Sequence, residues 1–272
     1  MSDHARGSRW KKEAEFFDSV ARRHSQEVEP IDPVTLARYS AASPRRRFNL
    51  EYRFRLLGNL QGREILDAGC GEGVNSILLA KLGARVTGVD ISPASIEVAQ
   101  KRAQVNGLEG TTRFICSPLE TADLPSDSFD VVWGDAVLHH LIADLDALVV
   151  RFVTWTKPGG VVLLAEPVNL NHTLRWLRFK IPVKTHATPD ERPLERQELS
   201  IIRQHLPQLY IRHFSLFGRL NRFILVAHNY ERSSPLRRAL SNVLALADYG
   251  LLSLPWVSSL AGTAVLYGRV KK

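Results

Sequence analysis

Cysteine is scarce: Cys70 and Cys116 are the only two in 272 residues. Two thiols cannot build a disulfide scaffold or a four-cysteine zinc site, and they point to a reducing, cytoplasmic compartment. The opening stretch, MSDHARGSRWKKEAEFF, lacks an apolar run of signal-peptide length, so secretion is not expected. The nine histidines fall at no ligand spacing with cysteine or carboxylate, so no metal is expected either. Repeats and low-complexity tracts are absent. What is present is 44% hydrophobic and 24% charged, which excludes a disordered or collagen-like chain. The length suits one α/β domain with additions.

Charge is unevenly spread. Residues 1–60 carry 12 basic and 8 acidic side chains, residues 61–168 carry 8 and 14, and residues 169–272 carry 16 and 6. A mildly acidic middle between basic flanks could draw an acidic substrate, nucleic acid or an anionic membrane surface. Arginine supplies 27 of the 36 basic residues, which genome composition alone can produce.

The middle third alternates between two periods. Strand-like runs at Glu64–Cys70, Arg85–Ile91, Thr111–Cys116, Phe129–Gly134 and Val161–Glu166 are interleaved with helical spacing at Val74–Leu82, Pro93–Val105 and Leu145–Trp155. That alternation predicts a parallel sheet with helices on both faces. Lys157–Gly160 (KPGG) reads as a structural turn, with Pro158 stopping the helix and the glycines opening the fifth strand. Further on, Pro193–Leu206 looks helical, Leu209–Phe217 and Thr263–Val270 look like strands, and a leucine-rich stretch reaches about Leu260. Tyr249–Gly268 carries no charge over 20 residues, a transmembrane length. Pro255, the glycines and the hydroxyl residues favour a broken helix followed by an edge strand.

The strongest local signal is Ile65–Gly73, ILDAGCGEG, between the first strand and its helix. Gly69, Gly71 and Gly73 permit positive φ and let a ligand lie against backbone, and the following helix offers free N–H groups. Asp90 ends the next strand, where a carboxylate can accept from both hydroxyls of a ribose. A dinucleotide fingerprint is G-x-G-x-x-G; here the spacing is G-x-G-x-G, with Asp67 two residues ahead. A carboxylate there repels pyrophosphate and suits an ammonium or sulfonium, so a cationic, amino-acid-bearing nucleoside is favoured over NAD.

ILDAGCGEG at 65–73, VTGVDIS at 86–92, LPSDSFDVVWGDAVLHHL at 124–141 and KPGGVVLLAEP at 157–167 together resemble the class I S-adenosyl-L-methionine-dependent methyltransferases. The likeness is to the small-molecule group that includes quinone-biosynthesis enzymes, and it covers roughly residues 62–168. It implies a Rossmann-like sheet of seven strands, mostly parallel, whose last strand is antiparallel. It divides the chain into an N-terminal helical lid over 1–60 and a methyltransferase domain over 61–272, with acceptor-side insertions at about 168–192 and 218–260. Carried over by position, Asp67, Gly69 and Gly71 line the methionine end of S-adenosylmethionine, with Cys70 giving backbone. Asp90 holds the ribose and Ile91 packs on adenine. The loop after the third strand lacks the family's usual Asp, so Ser117 or the backbone near Leu119 replaces it. Gly134 and Asp135 lie beside the methyl-transfer path.

Transfer from a sulfonium needs alignment and removal of one acceptor proton. One of His139 and His140, at the mouth of the fourth strand, could be the base; a capping role for the pair competes. Trp176 and Phe179, set among arginines and lysines in Asn171–His186, could cover an apolar acceptor or lie on a membrane surface. Trp10, Phe16 and Phe17 could form a second lid. The resulting expectation is methyl transfer to a small apolar or amphipathic molecule, with oxygen slightly favoured. The alternatives are an RNA or protein methyltransferase using the basic flanks, or a binding module without transfer. A (D/N)PP(Y/F) tetrapeptide, a Pro-Cys nucleophile motif and aromatic-basic RNA modules are all missing, which counts against nucleic acid. Peripheral membrane contact and oligomeric state stay open.

Overall fold

The computed structural model describes residues 3–24, 28–40, 48–171, 191–226 and 230–272. Short apolar runs rich in Val, Ile and Leu form the strands β1 (Glu64–Ala68), β2 (Arg85–Asp90), β3 (Thr112–Cys116), β4 (Phe129–Asp135), β5 (Thr156–Pro167), β6 (Leu209–Phe214) and β7 (Thr263–Arg269). They make one seven-stranded sheet in the order β3-β2-β1-β4-β5-β7-β6. β1 through β5 pair in parallel, while β7 runs antiparallel to both β5 and β6. The mostly parallel sheet with an antiparallel last strand is therefore as expected.

Two-residue alternation sorts the side chains onto two cores. Leu66, Ala68, Val132, Val162 and Leu164 face one layer, built with α6 (Leu145–Trp155) and α7 (Arg196–His205). Ile65, Val131, Trp133, Val161, Leu163 and Ala165 face the other, which holds α3 (Asn49–Leu57) and α4 (Val74–Lys81). Both faces of the central strands are covered, as parallel sheets require. The chain begins with α1 (Asp3–His24) and α2 (Pro33–Ser40), and α1 packs on α5 (Pro93–Val105). Ser92 caps α5 by accepting from the Ser95 amide at 3.0 Å. Asp18 of α1 adds a second acceptor to the Ala94 amide at 3.0 Å. Each satisfies an amide that the first turn of a helix leaves free.

Two expectations change in detail. KPGG is not a turn ahead of the fifth strand: β5 starts at Thr156 and carries these residues as a bulge between the pairs Phe129–Thr156 and Val131–Val161. The Gly159 amide donates to Val270 O at 2.9 Å, so this bulge is paired to the end of the chain. β7 is not an edge strand, because β5 and β6 flank it and Ala264, Val265 and Leu266 are buried between them. The uncharged stretch 249–268 spans the end of a helix, a 3-10 turn at Val257–Leu260 and β7. Among the described residues no helix is long and apolar enough to cross a membrane.

Strand order reverses between β1 and β4, each of which leads away to a different side of the sheet. The carboxyl ends of these two strands open a crevice there, where open α/β sheets take ligands. Leu163 lies at the centre of the sheet, fully buried. Leu163→Ala is expected to lower unfolding free energy by about 2–5 kcal/mol in urea denaturation followed by circular dichroism. Leu240→Ala, on an exposed helix face, should shift it by no more than about 0.5 kcal/mol.

Candidate functional site

At that crevice lies a cavity of about 300 Å³, walled by the β1 turn, the ends of β2 and β4, the loop after β3, and α1. This is within the size range of small-molecule sites. The β1 turn is shaped by glycine for a reason of space. Gly69 has φ 69°, and a Cβ there would meet Val137 Cγ2 at 2.6 Å. Gly71 has φ 50° with nothing within 4 Å of where its Cβ would stand, so its backbone is bare toward the cavity.

Asp90 fixes the turn. Its Oδ2 accepts from the Gly71 amide at 2.8 Å and its Oδ1 from the Ser92 amide at 2.9 Å. Burial pushes its carboxyl up, against the pull of those amides. Asp67 is turned inward and does not reach the cavity wall: it is fully buried and accepts from Ser76 Oγ at 2.6 Å. Burial pushes Asp67 up to about 7, with the Ser76 bond opposing and Asp135 adding to the rise. Burial also raises the Cys70 thiol well above its ordinary value, leaving Cys70 to the site as neutral backbone and surface rather than as a nucleophile.

On the β4 side, Asp135 pairs with the buried Arg53 at 3.0 Å and accepts from Asn75 Nδ2 at 3.0 Å. Arg53 in turn stacks over Trp133, 4.3 Å from the ring centroid. Gly134 sits behind the wall with its carbonyl 3.4 Å from Arg53 Nη1. Ala136 follows with φ 58°, a conformation that costs a non-glycine residue energy. That twist delivers the next amides to Glu166, a fully buried carboxylate at the end of β5. Glu166 accepts from Val137 N at 2.9 Å, Leu138 N at 2.8 Å and His139 N at 3.3 Å.

Glu166 also orients His139, whose Nδ1 lies 3.1 Å from Oε2. A carboxylate oxygen accepts, so Nδ1 is the donor in this contact. His140 lines the cavity, stacks edge-on against Phe17 at 5.4 Å between centroids, and places Nδ1 2.6 Å from Glu191. Burial, then the neighbouring His139, lowers the pKa of His140 below 6.5. The His139, His140 and Glu191 ligand atoms all lie within 4.8 Å of one another, close enough for a metal ion to bridge. Spacing along the chain gave no sign of this, because Glu191 lies far from the pair.

The N-terminal helix closes one side. Phe17 and Glu13 line the cavity, and Phe16 packs edge-on against Phe17 at 5.2 Å. Trp10 Nε1 donates to Glu120 at 3.0 Å, and Arg9 pairs with Glu120 and Asp144. Gly69, Cys70, Gly71, Asp90, Ile91, Leu119, Asp135, His140 and Phe17 thus meet around one space. Ser117 does not join them, its hydroxyl being bonded to Pro118 O at 3.1 Å. Trp176 and Phe179 lie outside the described residues. Sequence reasoning missed Glu13, Glu120, Arg53, Glu166 and Glu191, polar groups brought in from distant segments, and Asn75 in the first turn of α4.

Among the described residues the wall holds four carboxylates, Glu13, Asp90, Glu120 and Asp135, and neither lysine nor arginine. That balance suits a cationic ligand and opposes a pyrophosphate. Residues 66–164 match the family model described as "Methyltransferase domain". A Bradyrhizobium diazoefficiens protein named ubiquinone biosynthesis O-methyltransferase is 30% identical over 197 residues, covering 66% of this chain and 73% of the relative. The chain belongs to the class I S-adenosylmethionine-dependent methyltransferases. Within that family it is similar to the quinone-biosynthesis group, and an Arabidopsis thaliana phosphoethanolamine N-methyltransferase is also 38% identical over 107 residues. A Methylocella silvestris protein named ubiquinone biosynthesis O-methyltransferase is 38% identical over 122 residues, 45% of each chain, so the match spans under half that relative's length. The solved geranyl diphosphate C-methyltransferase of Streptomyces coelicolor A3(2) shares the fold, with TM-score 0.54, 15% identity and coverage of 94% of this chain and 98% of that one.

S-adenosylmethionine, the family's cofactor, fits the residues present. Bare backbone at Gly71 leaves room beside an acidic strand end, Ile91 and Leu119 give apolar surface, and the carboxylates complement a sulfonium and an ammonium.

Asp67 offers a pH test of this geometry. A carboxyl held near 7 when folded and at its ordinary 3.8 when unfolded takes up a proton on folding between those values. Its contribution to stability therefore falls as pH rises from about 4 to about 7 and is flat above. Denaturant titrations should show wild type losing stability relative to Asp67→Asn between pH 5 and pH 8. A difference that stays constant with pH would mean an ordinary carboxyl.

Proposed function

We propose that the protein transfers a methyl group from S-adenosylmethionine to an oxygen of a small apolar or amphipathic acceptor. The observation that carries this reading is the cavity wall itself: among the described residues, four carboxylates and no lysine or arginine around a bare glycine turn. Relatives named ubiquinone biosynthesis O-methyltransferase favour oxygen as the acceptor atom.

Asp90 would accept from the ribose hydroxyls, and Ile91 and Leu119 would give apolar surface to the adenine. Gly69 and Gly71 would give backbone to the methionine part, with Asp135 as a carboxylate for its ammonium group. Asp67 acts at one remove, holding Ser76 under the turn. When bound, the cofactor supplies a methyl carbon already activated on a sulfonium. The protein's own task is to align the acceptor and take its proton.

His140 is the base. It is in the cavity wall, its lowered pKa keeps it neutral near pH 7, and Glu191 beside Nδ1 steadies the imidazolium formed on protonation. His139, fastened by Glu166, positions it; the two rings are 4.1 Å apart. Phe17, Val137 and Leu141 give an apolar wall that excludes water from the acceptor. The helix α1 serves as the lid, tied down through Arg9 and Trp10 to Glu120 and through Asp18 to the start of α5.

Incubation with methyl-labelled S-adenosylmethionine and a panel of apolar phenols, followed by mass spectrometry, tests the reading. Labelled O-methyl product is expected from wild type. His140→Ala should cut kcat by about 10²–10⁴-fold while cofactor binding persists. Wild-type kcat/KM should fall on the acid side only below pH 6.5. Near wild-type turnover by His140→Ala removes the base assignment, and labelled RNA or protein in place of a phenol removes the small-molecule acceptor.

A further inference from the structure

The helix α9 (Pro235–Leu251), in the segment between β6 and β7, is amphipathic the wrong way round for a helix packed on a protein. Its buried positions are Ser241, Ala245 and Asp248, all small or polar. Its large apolar residues Leu236, Leu240, Val243 and Leu246 are exposed, Leu236 at 80%. At 100° per residue, positions 236, 240 and 243 fall within about 60° of one another, opposite 241, 245 and 248. The stripe therefore occupies one side of the helix.

Specific bonds hold this orientation. Asp248 accepts from the Leu216, Phe217 and Gly218 amides at 3.0, 2.7 and 2.8 Å. Asn242 bonds Tyr230, and Arg237 Nη1 donates to Ile224 O at 3.0 Å, joining α9 to the short helix α8 (Asn221–Ile224). Turning the leucines inward would break the Asp248 bonds and bury nothing suited to the present contact. Phe223 on α8 is 70% exposed, and Trp256, beyond the end of α9, is 83% exposed. α8 begins just past the end of β6, at the same edge of the sheet as the cavity. Apolar exposure of this extent on a folded chain marks a surface that meets something.

Charge identifies what it meets. Arg219, Arg222 and Arg237 are exposed beside the apolar residues. The two acids of residues 216–262, Glu231 and Asp248, are turned away: Glu231 pairs with Arg38 at 2.9 Å, and Asp248 is buried in the bonds above. Two copies of the face packed together would gather arginines, with only Glu29, beside Arg232 at 3.7 Å, as an exposed acid nearby. An amphipathic helix with leucines outward, arginines at its margin and a tryptophan at its end matches an anionic lipid surface on both counts.

We propose that α8, α9 and Trp256 form a docking face for anionic membrane lipid, with the leucine stripe in the acyl boundary and the arginines at the headgroups. This stands on exposure and charge alone and does not depend on the acceptor.

Sedimentation of the full chain with sucrose-loaded vesicles tests it, comparing phosphatidylcholine with phosphatidylcholine–phosphatidylglycerol. Binding is expected only with the anionic mixture and should weaken as salt rises. The double variant Leu240→Asp, Val243→Asp should lower partitioning at least about tenfold. Because both side chains are exposed, its circular dichroism and melting should match wild type. Trp256→Ala should weaken binding further. The proposal is overturned by failure to sediment with anionic vesicles, or by binding that the double variant leaves intact. It is equally overturned by a dimer in analytical ultracentrifugation that the double variant splits, which would give the face to a second copy.

Discussion

The bond from the Gly71 amide to the Asp90 carboxylate ties the turn after β1 to the end of β2. A peptide N–H facing a half-buried carboxylate is satisfied without a side chain, so the turn can stay bare on its other side. Glycine at 69 and 71 makes that possible, since both positions take positive φ and a Cβ at 69 would strike Val137. The same arrangement puts negative charge at the strand ends without filling the space between them. Everything else about the site follows from a crevice that is acidic, narrow and backbone-lined.

A second buried carboxylate does for β4 what Asp90 does for β1. Glu166 gathers three successive amides after the strained Ala136 and then reaches the His139 ring. A charge with no exposure is tolerable only because each oxygen has donors. The histidine pair is thereby set at a fixed angle on the cavity rim, with Glu191 as a further carboxylate at His140. Arg53 is the cationic counterpart: stacked on Trp133 and paired to Asp135, it neutralises one acid of the wall from behind.

Local periodicity and glycine spacing made much of this readable. Helices at Pro93–Val105 and Leu145–Trp155 appear with the expected bounds, the first because Ser92 caps it ahead of Pro93, the second because Leu145, Leu148, Val149 and Phe152 form a buried apolar face. The ligand turn was legible from G-x-G-x-G, since positive φ is a property of single residues. Asp67 was misjudged as facing a ligand, because sequence does not say which way a strand-end carboxylate points; Ser76, nine residues on, decides it. Glu166, Glu191 and Arg53 left no local signal, as their partners are remote in sequence. β7 was read as an edge strand because its two neighbours, β5 and β6, are a matter of topology rather than composition. In α9, the richness in leucine was visible but the helix and its outward face were not, since the direction depends on Asp248 meeting the amides of 216–218.

The central claim is that the acidic, glycine-lined cavity takes a cationic sulfur nucleoside. Isothermal titration calorimetry of the purified chain with S-adenosylmethionine, S-adenosylhomocysteine and NADH measures it directly. Saturable one-to-one heat is expected with both sulfur nucleosides, lost at least tenfold in affinity in Asp90→Ala, and none with NADH. Heat with NADH and silence with both sulfur nucleosides would contradict the account.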